Sequence, residues 1–135
     1  MTQEWNKKIH VESSLPTKSG QFSLFIGRWQ PLHDAHREMF NQVLKDGGNV
    51  CIAIRDIEPD FNNPYTPLEV LGKIMDEYKE LIEQKRVCVM IVPDICSVNF
   101  GRGVGYSIIE HIPPQVVADI SATKIRAELR KEGKL

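Results

Sequence analysis

Cysteine is scarce, neither sign of charge dominates, and no long apolar run is present. The three cysteines, Cys51, Cys88 and Cys96, form no Cys-x-x-Cys pair, which removes the spacing expected of a structural zinc or dithiol redox site. Cys51 and Cys88 lie within short apolar runs, where a thiol packs as a small hydrophobe. Reduced, structural thiols are the expectation, with metal ligation or catalysis as the alternatives. Lys and Arg total 17 against 18 Asp and Glu, a formal net charge of -1. A generally basic nucleic-acid-binding surface is therefore not indicated, and only a local cationic cluster is left open. The longest unbroken apolar run, Val87–Val92, has six residues, against the ~20 that a membrane-spanning helix needs. No nucleic-acid or membrane partner is expected. Residues 1–14 are polar and contain no apolar leader segment, which makes the cytoplasm the expected location.

What is present is enough for one core. Of 135 residues, 41% are apolar, which suits one domain of ordinary size and is too little chain for two. Residues 1–20 read as an arm, in which Ile9 and Val11 could pair as an edge strand, and residues 21–135 as a single domain. The run 22–26 reads as a strand closed by Gly27. Asp34 is the expected N-cap of a helix to about residue 46, stopped by Gly47-Gly48. The β-branched run 50–54 returns as a parallel strand, completing a βαβ unit. Thr66-Pro67-Leu68-Glu69 has the form of a capping box with proline at the first helical position, opening a helix to about residue 84. The run Val87–Val92 is apolar throughout, as in a strand covered on both faces. A strand is expected within 106–112 and another over 116–120, followed by a last helix capped near Ser121 and ended by Gly133. The fold class is α/β, a Rossmann-like three-layer α/β/α arrangement with a mostly parallel sheet.

Two clusters carry chemistry. The turn after the first parallel strand reads Gly27-Arg28-Trp29-Gln30-Pro31-Leu32-His33-Asp34-Ala35-His36. A strand-turn-helix junction binds phosphate because free backbone N–H groups and the positive helix end point at the ligand. His33 and His36, three apart, share a helix face, and their imidazole N–H groups can donate to one anion. Arg28 adds a guanidinium fork, and Gly27 admits a ligand to the backbone. The second cluster, Ser121-Ala122-Thr123-Lys124-Ile125-Arg126, places two hydroxyls and two cations in the first turn of the last helix. Cations there oppose the macrodipole, and an anion between them removes the conflict. Alternatives stay open. The histidines could form an inert surface pair or a metal site, although no third ligand is suitably spaced. Trp29 is either packing or a ligand contact. Arg102 and Tyr106, in a glycine-rich turn at residues 100–106, either face an acceptor or belong to a surface turn. His10 and His111 have no assigned role, and Lys131, Glu132 and Lys134 read as a solvated helix end.

Together, the Gly27-Arg28-Trp29-Gln30-Pro31-Leu32-His33-x-x-His36 turn and the later Ser121-x-Thr123-Lys124-x-Arg126 resemble the paired signatures of the HxGH nucleotidyltransferase superfamily. The Gly-Arg-aromatic-Gln-Pro form is most similar to the nicotinamide-mononucleotide adenylyltransferase branch. Asn63-Pro64-Tyr65-Thr66 resembles the segment that opens the helix after the second strand in that branch. The resemblance implies a transfer of a nucleoside monophosphate, AMP before CMP, from ATP or CTP to a phosphorylated small molecule such as nicotinamide mononucleotide, with pyrophosphate released. His33, His36, Lys124 and Arg126 are then the catalytic residues. Gly27, Arg28, Gln30, Ser121 and Thr123 bind the nucleotide, and Trp29, Arg102 and Tyr106 face the acceptor. Mg2+ is the expected cofactor, carried by the triphosphate and water with no protein metal site. A cytidylyltransferase and a non-catalytic nucleotide-binding module are the other readings, and homo-oligomerisation is left open. Ala35 stands where the signature has glycine, and Val70 follows Glu69 where relatives often carry arginine.

Overall fold

The computed structural model describes residues 4–13, 15, 16 and 19–135; parts of the 1–20 arm (residues 1–3, 14, 17 and 18) lie outside the described residues. The chain runs β1 (Asn6–Val11), β2 (Phe22–Gly27), α1 (Asp34–Leu44), β3 (Asn49–Arg55), α2 (Pro67–Glu77), α3 (Lys79–Glu83), β4 (Val87–Val92), β5 (Ile108–Ile112), α4 (Gln115–Ala118) and α5 (Ala122–Lys131). Strands β2, β3 and β4 form a parallel sheet in that order, with β3 central. Helices flank the sheet, giving the expected α/β, Rossmann-like arrangement. The register aligns Phe25 with Ile52 and Ile52 with Val89. This row packs with Phe40 of α1 and with Val70 and Ile74 of α2 into one core. Burial of such aliphatic and aromatic side chains, about 1.5–3 kcal/mol each, is what holds the layers together. Leu24 and Met90, which alternate onto the opposite face, remain largely exposed.

The capping box at α2 forms as read from the sequence: Thr66 Oγ1 accepts from the Glu69 N–H at 3.1 Å, and Glu69 Oε1 accepts from the Thr66 N–H at 3.2 Å. The helical run to residue 84 is interrupted at Tyr78, whose ring stands edge-on to Phe40. Three boundaries need correction. His33, not Asp34, is the N-cap of α1, with extended backbone and its carbonyl accepting from the Arg37 N–H at 3.0 Å. The strand within 106–112 covers Ile108–Ile112 and pairs antiparallel with β1 in a separate two-stranded ribbon. The run 116–120 is not a strand. Pro114 carries its carbonyl into bonds from the Val117 and Ala118 N–H groups, both 3.0 Å, and starts the short helix α4. Pro113-Pro114 lacks the donors a ladder needs and presets a helical φ, which outweighs the β preference of Val116 and Val117.

Candidate functional site

β2 delivers its last residues to the carboxyl end of the parallel sheet, the end at which open α/β sheets bind ligands. Gly27 closes the strand, and a Cβ there would lie 2.8 Å from Cε2 and Cζ2 of Trp29. The glycine is thus required first by the indole. Trp29 has φ 53°, is 5% exposed, and donates its Nε1–H to the Ala53 carbonyl at 3.1 Å. Its ring meets Phe40 at 5.3 Å and His36 at 4.8 Å, both edge-on. Trp29 therefore forms the floor beneath His36, and its polar group is already committed.

Gln30 joins three segments. Its side-chain amide donates to the Tyr65 carbonyl at 2.9 Å and accepts from the Tyr65 N–H at 3.0 Å, while its own carbonyl accepts from Arg126 Nη1 at 2.7 Å. This one residue locks the β2–α1 turn to the loop before α2 and to α5. Both ends of its amide are occupied, so its described contacts are structural.

His33 and His36 stack, with ring centroids 3.6 Å apart and planes 18° from parallel. The His33 backbone N–H donates to His36 Nδ1 at 3.2 Å, so Nδ1 is the unprotonated nitrogen and the His36 proton sits on Nε2. Burial, the neighbouring His33 and the Arg37 guanidinium together pull the His36 pKa down to about 3. Burial and Arg37 also lower His33, against a smaller pull from Asp34. Both rings are neutral at pH 7 and act as N–H dipoles, not as cations. His33 Nδ1 is buried and has no hydrogen-bond partner among the described residues.

Positive charge comes from arginines. Arg126 is 7% exposed yet makes no salt bridge to a carboxylate among the described residues; besides Gln30, its guanidinium donates there to Thr123 Oγ1, at 3.3 Å. Burial lowers its pKa, and Arg130 and Arg28 lower it further, opposed by Asp60. Arg28, Arg126 and Arg130 thus share one electrostatic neighbourhood, with Asp60 as its acidic member. Among the described residues, Arg28 and the exposed Lys124 make no side-chain hydrogen bond or ion pair. Ser121 Oγ caps α5 by accepting from the Lys124 N–H at 3.2 Å. Asp60 is occupied as a loop brace, its Oδ1 accepting from the N–H groups of Asn63 and Asn62 at 2.7 and 2.9 Å.

Among the residues expected from sequence, Gly27, Arg28, Trp29, Gln30, His33, His36, Ser121, Thr123, Lys124 and Arg126 lie on elements that these contacts join. Arg102 and Tyr106 are exposed in the glycine-rich turn, and no hydrogen bond, ion pair or ring contact among the described residues ties them to this group. That turn instead lines a cavity of about 210 Å³ with Glu12, Ser13 and Leu15. Sequence reasoning passed over four participants. Arg37 binds Glu77 through Nε and Nη2, both 2.9 Å, and Asp34 through Nη1 at 2.9 Å, fixing the start of α1 to the end of α2. Asp60, Phe61 and Arg130 form the outer lip, with Arg130 Nη2 donating to the Phe61 carbonyl. The available signal was spacing: Arg130 follows Arg126 by four residues and shares its helix face.

The donor types gathered here are imidazole and guanidinium, which suit phosphate oxygens. Among the described residues no group of three or more His, Cys, Asp or Glu could hold a metal ion.

No protein-family model matches the chain. Over 114 residues, 81% of its length, it is 28% identical to a nicotinamide-nucleotide adenylyltransferase of Pyrococcus furiosus. The chain covers 58% of that relative. No helix among the described residues is long and apolar enough to cross a membrane.

Proposed function

We propose that the protein is a nucleotidyltransferase of the adenylyltransferase type, moving AMP from ATP to a phosphorylated small molecule such as nicotinamide mononucleotide. The observation that carries the reading is the buried Arg126, which makes no salt bridge among the described residues, is bonded to the turn that leads into the stacked histidines, and feels the charges of Arg28 and Arg130. A desolvated guanidinium without an acid partner is costly unless an anion completes it. A triphosphate supplies that anion and accounts for the N–H donors around it. The similarity to an archaeal adenylyltransferase supports the same class.

The chemistry asks little of the side chains as acids or bases. An acceptor phosphate has a second pKa of about 6, so it is already a nucleophile at pH 7. One of its oxygens attacks the α-phosphorus, the bond from that phosphorus to the bridging oxygen of the β-phosphate breaks, and pyrophosphate leaves with the electron pair. Charge grows on the α-phosphoryl oxygens and the leaving group, where preorganised donors lower the barrier. In this reading His36 Nε2–H and His33 donate to the phosphoryl oxygens as neutral groups. Arg126, Lys124 and Arg28 neutralise the leaving pyrophosphate, with Thr123 as a further donor. Ser121 and Gln30 hold these groups in place. Mg2+ would accompany the triphosphate and supply charge screening there, with no protein residue assigned to hold it.

The test is pyrophosphate release with Mg2+, ATP or CTP, and phosphorylated acceptors including nicotinamide mononucleotide. Release that requires both a nucleotide and an acceptor is expected, with ATP preferred. CTP preference would replace AMP transfer by the cytidylyl reaction. Nucleotide binding without release on any acceptor would leave a binding module.

A further inference from the structure

Phe61 is 72% exposed, but its position is firmly set. The Arg130 guanidinium lies over one face of its ring, 3.7 Å from the centroid, and also donates to its carbonyl. The backbone around it is pinned by reciprocal bonds between Asp60 and Asn63, at 2.9 and 3.2 Å. Asp60 Oδ1 adds bonds to Asn62 and Asn63. The loop follows β3, at the same carboxyl end of the sheet that carries the histidine turn. Its partner Arg130 stands one helical turn, about 6 Å along the axis, beyond Arg126.

An exposed aromatic ring alone needs no explanation. This one has a cation stacked on one face, is 72% exposed, and is held by an arginine whose charge is felt by Arg126, while Arg28, Arg126 and Arg130 make no salt bridge among the described residues. A nucleoside triphosphate joins a polyanion to a flat π-system. We infer that the open face of Phe61, backed by the Arg130 guanidinium, is the stacking platform for the nucleotide base while the arginine cluster holds the phosphates. The inference rests on the triphosphate reading of the cluster and adds where the base lies. Arg130 works on two sides: it orients the ring by cation–π contact and extends the positive field toward the phosphates.

The test compares ATP with inorganic tripolyphosphate, which carries the charge and lacks the base, by calorimetry on the full chain. Base stacking on an aromatic side chain is worth about 5- to 150-fold in affinity. Phe61→Ala is expected to weaken ATP by a factor in that range and leave tripolyphosphate unchanged. Phe61→Tyr should retain ATP affinity, and Phe61→Leu, which keeps bulk without a π-face, should lose it. Equal weakening of both ligands would mean that Phe61 acts only by placing Arg130, and would overturn the platform. Unchanged ATP affinity in Phe61→Ala, or a wild-type protein that binds tripolyphosphate as tightly as ATP, would overturn it while leaving the anion site standing. Failure of the wild type to bind either ligand would remove the anion site and the platform together.

Discussion

Gly27→Ala separates two reasons for a glycine at the end of β2. If the residue is there only to admit a ligand, alanine should bind nucleotide less well and fold as before. The structure gives a packing reason: the added Cβ would sit 2.8 Å from Cε2 and Cζ2 and 3.0 Å from Cη2 of Trp29. The indole cannot swing away cheaply, because its Nε1–H is bonded to Ala53 and its ring is pressed between Phe40 and His36. Overpacking of a filled core costs about 1–3 kcal/mol. Alanine recovers about 0.4–1 kcal/mol by restricting the unfolded chain. The net loss should be about 1–2 kcal/mol, lowering the melting temperature of a domain this size by about 4–8 °C. Urea unfolding of the wild type, Gly27→Ala, Trp29→Phe and the double variant closes the cycle. Phenylalanine lacks the outer indole atoms that clash, so the alanine should cost little in that background, a coupling of about 1 kcal/mol or more. Equal costs in both backgrounds, or no cost in either, would refute the packing argument.

Three further outcomes follow from the site's electrostatics. His36 has a folded pKa depressed to about 3, whereas the unfolded chain takes up the proton near 6.5. Its contribution to stability is therefore full above pH 6.5 and is lost progressively as pH falls from 6.5 toward 3. Urea midpoints between pH 4.5 and 8 should fall on the acid side, and His36→Asn should flatten that slope. Arg37 lowers both histidines, and Glu77 offsets its charge. Arg37→Met should raise the histidine titrations seen by NMR and Glu77→Gln should lower them; shifts of the same sign would contradict the assignment. Arg126→Met removes both the cost of a buried guanidinium and its bond to the Gln30 carbonyl, two effects of opposite sign, so the unfolding midpoint should change little while tripolyphosphate affinity falls at least tenfold. Lost stability with binding retained would make Arg126 a structural residue.

The sequence made local features legible and left their meeting points hidden. Capping chemistry is local, and Thr66-Pro67-Leu68-Glu69 formed the box its residues specify. The βαβ order followed from apolar runs and glycine stops, and the parallel register of β2, β3 and β4 agrees with it. Where two local preferences competed, the backbone constraint won: Pro114 started a helical turn despite Val116 and Val117. The resemblance implied that Gln30 binds the nucleotide; in the structure its amide makes reciprocal bonds to Tyr65, a partner 35 residues away. No periodicity encodes that bond, nor the contact of Arg130 with Phe61 across 69 residues. Both are long-range side-chain-to-backbone contacts to loop carbonyls, and these decide which polar residues are left for a ligand. Arg126 shows the difference. Its place at the start of the last helix was readable, but its burial without an acid was not. That burial is what leads the proposed reading to place an anion beside it.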